Sequence, residues 1–63
     1  MAEIAITLPD GSTRHVEPGT TALGLAQGIG SRLAKAAVIA EINDTERDLG
    51  TELADGDRVA IIT

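Results

Sequence analysis

The stretch Ile4-Ala5-Ile6-Thr7-Leu8-Pro9-Asp10-Gly11-Ser12 reads as an alternating strand that runs into a tight turn. Ile4, Ile6 and Leu8 fall at every second position, so one face buries while the other meets water. Pro9 presets φ, and Gly11 accepts the positive φ that a reversal of the chain needs. Thr13 to Glu17 then returns as an antiparallel partner, with Val16 inward and His15 outward. The far end of the chain has a matching unit. Asp55-Gly56-Asp57 turns into Arg58-Val59-Ala60-Ile61-Ile62, where Val59 and Ile61 face in.

The helical material lies between these units. Pro18-Gly19 breaks the second strand, because proline cannot continue a ladder. Thr20 or Thr21 supplies an N-cap hydroxyl. Leu23, Ala26 and Ile29 follow at a spacing that predicts one helix face, which leaves Leu25 beside that face and half exposed. Gly24 and Gly28 each cost about 0.8–1.0 kcal/mol relative to alanine, so this helix depends on docking to the sheet. Gly28-Ile29-Gly30 ends it, and Ser31 is placed to cap a second short piece, Arg32 to Ala36, with Leu33 inward. Val38, Ala40 and Ile42 alternate with Ile39 and Glu41 as a third strand. Asn43-Asp44 is a turn pair, Thr45 to Asp48 a charged edge strand, and Leu49 and Leu53 anchor an irregular crossing with room for one 3₁₀ turn.

Strands at both ends with a helix between them predict an α+β domain of the β-grasp, ubiquitin-like kind. Its four- to five-stranded mixed sheet packs on one main helix, and the last strand lies between the first and the third. Sixty-three residues make a single domain, 1–63. A domain this short buries only about 60% of its unfolded surface.

Composition narrows the function classes. With no Cys there is neither a disulfide framework nor a thiolate zinc site, and the chain reads as cytoplasmic. No apolar run approaches the ~20 residues of a membrane helix, and no signal peptide is expected ahead of the first strand. Phe, Tyr and Trp are absent, so Ile, Leu, Val and Ala must pack the core. Five Lys and Arg stand against ten Asp and Glu, a net charge of −5. Without a basic stripe or an aromatic to stack on a base, strong autonomous RNA binding is not expected.

Five groups of residues invite a functional reading. Gly28-Ile29-Gly30-Ser31 ahead of Arg32 and Lys35 has the glycines of a phosphate cradle. It follows a helix, lacks the Gly-Lys-Ser/Thr ending, and carries Leu33 where a dinucleotide fingerprint wants glycine, so helix-end glycines account for it better. His15 is the only histidine and has no plausible nucleophile or orienting acid at fixed geometry. The carboxylates scatter over turns and edges without a calcium-loop spacing, and Asp55 and Asp57 shape a turn. No catalytic, cofactor-binding or metal-binding residue is therefore expected. Arg32 and Lys35, three apart on one helical face, are a candidate weak RNA contact set against an ordinary solvated face. Ala5, Thr7, Ile39, Ala60 and Ile62, pointing away from the helix, form a candidate docking patch set against an ordinary open sheet face.

The run Ile6-Thr7-Leu8-Pro9-Asp10-Gly11-Ser12 with Arg14-His15 resembles the opening of bacterial threonyl-tRNA synthetases. Leu33-Ala34-Lys35-Ala36-Ala37 leading to Asn43, and the closing Ile61-Ile62-Thr63, are similar too. Together they resemble the N-terminal TGS domain of those enzymes, a β-grasp module shared with some GTPases and (p)ppGpp enzymes. The resemblance implies a module of a longer chain that joins threonine to tRNA with ATP, in the cytoplasm, as a homodimer. Its catalytic and zinc residues would lie in other domains, so no cofactor is expected here. The partners it implies are neighbouring domains and, weakly, tRNA, with no membrane. Two rivals stand beside this reading. One is a TGS domain of a GTPase or a (p)ppGpp synthetase/hydrolase that senses RNA or the ribosome. The other follows from Asp55-Gly56-Asp57-Arg58-Val59, which resembles sulfur carriers of thiamine and molybdopterin synthesis; those need a terminal Gly-Gly, where this sequence has Ile62-Thr63.

Overall fold

The computed structural model describes residues 2–63, and Met1 lies outside them. Strand β1 (Ile4–Thr7) pairs antiparallel with β2 (Thr13–Val16), Ile4 opposite Val16 and Thr7 opposite Thr13. The turn between them closes as its residues dictate. Gly11 sits at φ 88°, the Leu8 N–H donates to the Ser12 carbonyl at 2.8 Å, and the Gly11 N–H donates to the Leu8 carbonyl at 2.9 Å.

Thr21 caps helix α1 (Ala22–Ile29): its Oγ1 accepts from the Gly24 N–H at 3.1 Å. The buried face is Ala22, Leu25 and Ala26; Ala26 lies inward as expected, and Leu23 and Ile29 do not. Leu25 is only 1% exposed, whereas Ile29 is 38% exposed and Leu23 half-buried. The cause lies outside the helix. The N–H groups of Ala22 and Leu23 donate to the carbonyls of Thr51 and Leu49, and this sets the rotation of the first turn against the sheet. Periodicity gives the stripe's spacing but not which of two adjacent stripes faces in.

Gly30, extended at φ 179°, separates α1 from a second helix, α2 (Ser31–Ala36). Its N–H closes α1 on the Ala26 carbonyl at 2.9 Å, and its own carbonyl accepts from the Ala34 N–H at 3.1 Å. Gly30 therefore occupies the cap position, and Ser31 is the first helical residue rather than the cap. Leu33, expected inward, is only half-buried and lines a cleft at the surface rather than packing on the core.

Strand β3 (Ile39–Ile42) buries Ala40 and Ile42. Val38, expected inward, precedes the strand and is 73% exposed. Its N–H donates to the Ile62 carbonyl at 2.8 Å although Ile39 is the residue opposite Ile62, so the alternation breaks there and the side chain turns out. Asn43 and Asp44, at φ 52° and 67°, make the tight turn into edge strand β4 (Thr45–Arg47). In the crossing that follows, Leu53 is buried and Leu49 packs on the core. Among the described residues the expected 3₁₀ turn is absent; a turn closed by the Thr51 N–H on the Asp48 carbonyl and a bridge from Thr21 to Glu52 stand in its place.

Strand β5 (Val59–Ile62) pairs antiparallel with β3. It meets β1 only at its entrance, through a parallel bridge from Thr7 to Arg58. The five strands thus form two pieces, β1-β2 and β4-β3-β5. The Thr7 N–H bonds the Asp57 carbonyl and the Gly56 N–H bonds the Ala5 carbonyl, both at 2.9 Å, and these bonds join the two pieces. The expectation that the last strand lies between the first and third holds only there. Ile6, Ala22, Leu25, Ala40, Leu53 and Val59 form the centre of the core between sheet and helix.

Candidate functional site

The open side of the β3-β5 pair gathers three of the five expected patch residues. Ile39 lies directly opposite Ile62, and Ala60 opposite Glu41. Residues opposed in this way point to the same side of the sheet, within reach of one another. Ile62 is 38% exposed, and Ile39 and Ala60 are half-buried. Ala5 and Thr7 are also half-buried, but they sit on β1, in the other piece of the sheet. The sequence reading missed Val38. It adjoins Ile62 through its N–H bond and extends the apolar surface; one residue of broken alternation had hidden it.

Two clefts flank the Leu8-Pro9 corner. One, of about 370 Å³, opens between the two turns and is lined by Thr7, Pro9, Glu41, Asp44, Arg58 and Ala60 among others. The second, of about 260 Å³, lies on the helix side, where Leu8, Ile29, Leu33 and Ile61 give it apolar walls with Asp10 at the rim.

The polar groups around the first cleft hold turns together. The Asn43 side-chain amide donates to Asp57 Oδ1 at 2.9 Å, while its Oδ1 accepts from the Arg58 N–H at 2.9 Å. Asp57 Oδ2 accepts from the Ala54 N–H at 2.8 Å, and Asp55 Oδ1 from the Ala5 N–H at 2.7 Å. The two aspartates thus shape their turn and also tie it to β3 and β1. Arg58 pairs with Asp44 at 2.8 Å with both side chains mostly in water, a contact worth about 0–1 kcal/mol. Asp10 Oδ1 accepts from the Ser12 hydroxyl at 2.7 Å and the Ser12 N–H at 2.9 Å. The hydroxyl bond foremost, then the amide bond, holds the Asp10 carboxyl below its usual 3.8.

The remaining candidates lie apart from the open face. Arg32 and Lys35 are exposed on α2. The Gly28-Ile29-Gly30-Ser31 run joins two helices, and the Arg14 guanidinium takes up the Gly28 carbonyl at 3.0 Å. His15 is exposed on β2, opposite Ala5. Among the described residues, no group of three His, Asp or Glu side chains is arranged to hold a metal ion. No described helix is long and apolar enough to cross a membrane.

An antiparallel hairpin, a capped helix and a three-stranded return joined to it by one parallel bridge make a β-grasp fold, and comparison narrows the class. The chain belongs to the TGS-domain family, which matches residues 4–63. It is 52% identical over 63 residues to a threonine–tRNA ligase of Citrifermentans bemidjiense, covering 100% of this chain and 10% of that relative. A threonine–tRNA ligase of Chlorobaculum tepidum is 46% identical over 61 residues, 97% of this chain and 9% of the relative. The chain therefore spans about a tenth of the length of the curated relatives it matches. The crystal structure of a GTP binding protein from Pyrococcus horikoshii OT3 superposes with a TM-score of 0.81 at 21% identity, covering 97% of this chain and 21% of that one. That likeness is one of fold.

Proposed function

We propose that this chain is the TGS module of a threonine–tRNA ligase and acts there without catalysis, docking against a neighbouring domain through its open sheet face. In this reading ATP, zinc and the ligation chemistry belong to the other domains of a cytoplasmic homodimer. Arg32 and Lys35 add a weak contact to tRNA. Identity near 50% over the whole chain supports the choice of parent. The GTP binding protein from Pyrococcus horikoshii OT3, at 21% identity, shares the fold and carries no choice of parent.

The observation that carries the docking role is the opposed Ile39–Ile62 pair, continued by exposed Val38 on an otherwise charged domain. The test is hydrogen exchange on the full-length ligase carrying Ile39→Asp and Ile62→Asp. Faster exchange across the partner surface is expected, with the isolated domain's circular dichroism unchanged. Interdomain protection equal to wild type would rule the patch out. In a parallel tRNA titration of the isolated domain, shifts confined to the amides around Arg32 and Lys35 would support the RNA contact, and silence there would remove it.

A further inference from the structure

The last strand has one paired edge and one open edge. The Asn43 N–H donates to the Arg58 carbonyl at 2.8 Å, which makes that pair a hydrogen-bonded one. Bonded and non-bonded pairs alternate along an antiparallel ladder, so in the observed register Ala60 and Ile62 turn their backbone groups toward β3. The N–H and C=O of Val59 and Ile61 therefore point the other way, toward the side where β1 lies.

On that side the partner strand stops short. The parallel bridge at Thr7 and Arg58 uses the Thr7 N–H on the Asp57 carbonyl. The next rung of a parallel ladder needs an N–H from residue 9 to reach the Val59 carbonyl. Residue 9 is proline and has no N–H, and the chain then folds back so that the Leu8 N–H meets the Ser12 carbonyl. Beyond Pro9, β5 is an edge strand of its three-stranded sheet. Val59 is covered by its surroundings, while Ala60, Ile61 and Ile62 are not fully buried.

The two clefts lie on either side of this edge. The helix-side groove, walled by Leu8, Ile29, Leu33 and Ile61, suits an apolar side chain. The open-face cleft carries Glu41, Asp44 and Arg58. Arg58 is taken up by Asp44, so Glu41 is the charge left for a partner there, and Asp10 stands at the rim of the groove. Side chains of a strand alternate between its two faces, as the clefts do here.

We propose that the edge of β5 beyond Pro9 receives an extended segment of a partner polypeptide as an added strand, with alternating apolar and cationic side chains. The backbone of Ile61 supplies the pairing. Apolar side chains enter the groove, and cationic ones face Glu41 in the cleft. This goes beyond docking of the open face, because it uses the strand's edge rather than its surface.

The test uses this chain and a short capped peptide of alternating lysine and valine, with a glutamate–valine peptide as the charge control. Exchange of the Ile61 amide should slow about tenfold when the lysine peptide stands at about ten times its Kd, and the glutamate peptide should leave it unchanged. Ile61→Pro removes the edge N–H without touching the β3 ladder and should abolish binding. Should that variant fail to fold, Glu41→Lys should weaken the lysine peptide and admit the glutamate one. Ile39→Asp should leave the peptide bound, which separates this result from failure of the docking face. An unchanged Ile61 amide, equal binding of both peptides, or binding retained by a folded Ile61→Pro variant would overturn the proposal.

Discussion

At the scale of single residues, the turns were the most legible part of the molecule. Pro9-Asp10-Gly11-Ser12 and Asp55-Gly56-Asp57 carry their conformations in their own chemistry, and Gly11 and Gly56 take φ 88° and 86°. What the sequence withheld was reach. Asp55 accepts from Ala5, fifty residues away, and Asp57 from Asn43, and no local pattern announces either partner. Asp10 offers a direct check. Its carboxyl is held low by bonds to Ser12, so it stabilises the folded state fully above the usual carboxylate pKa. That contribution is lost as pH falls below about 3.8, through the lower folded-state value. The Asp10 side-chain carbonyl, followed by NMR, should titrate below 3.8, and Ser12→Ala should bring it back toward that value.

At the scale of elements, existence and type could be read in advance, whereas rotation and exact ends could not. Helix α1 lies where its cap and glycines put it, yet Leu25 rather than Leu23 is buried. The deciding hydrogen bonds come from Leu49 and Thr51, far along the chain. For the same reason simple alternation puts Val38 inside, one residue past the point where pairing with Ile62 breaks the pattern. Weakness in α1 is also open to measurement. A Cβ at position 28 would meet Arg14 NH2 at 3.9 Å, an ordinary contact. Gly28→Ala should therefore stabilise the domain by roughly 0.5–1 kcal/mol in urea unfolding. At Gly24 the nearest atom is the Thr20 methyl carbon at 3.3 Å, so the same change there should gain less.

At the scale of the whole molecule, the β-grasp arrangement was legible because the order and spacing of its elements survive without any tertiary information, and the TGS family was legible through the resemblance of runs such as Ile6 to Ser12. The division of the sheet was not, since it follows from one missing N–H at Pro9 and a single bridge. Of the candidate patch, Ile39, Ala60 and Ile62 lie together on β3 and β5, while Thr7, on β1, shares the open-face cleft with Ala60. Small size makes the core sensitive. Domains hold about 0.05–0.15 kcal/mol per residue, which for this chain is about 3–9 kcal/mol. Leu25→Ala should remove about 2–5 kcal/mol, a loss visible as a lower urea midpoint or outright unfolding at 25 °C.

The junction of the two sheet pieces has a mechanical consequence. Strand β1 runs beside residues 55–58, and β5 continues onward in the same direction, so Ile4 and Ile62 lie at opposite ends of that parallel run. Tension applied between those residues pulls the parallel segments lengthwise past each other. Three hydrogen bonds, from the Ala5 N–H to the Asp55 carboxylate, from the Gly56 N–H to the Ala5 carbonyl and from the Thr7 N–H to the Asp57 carbonyl, then carry the load as one short clasp. Once that clasp slips, nothing further along β1 can catch β5, and the hairpin peels away from the rest in a single step.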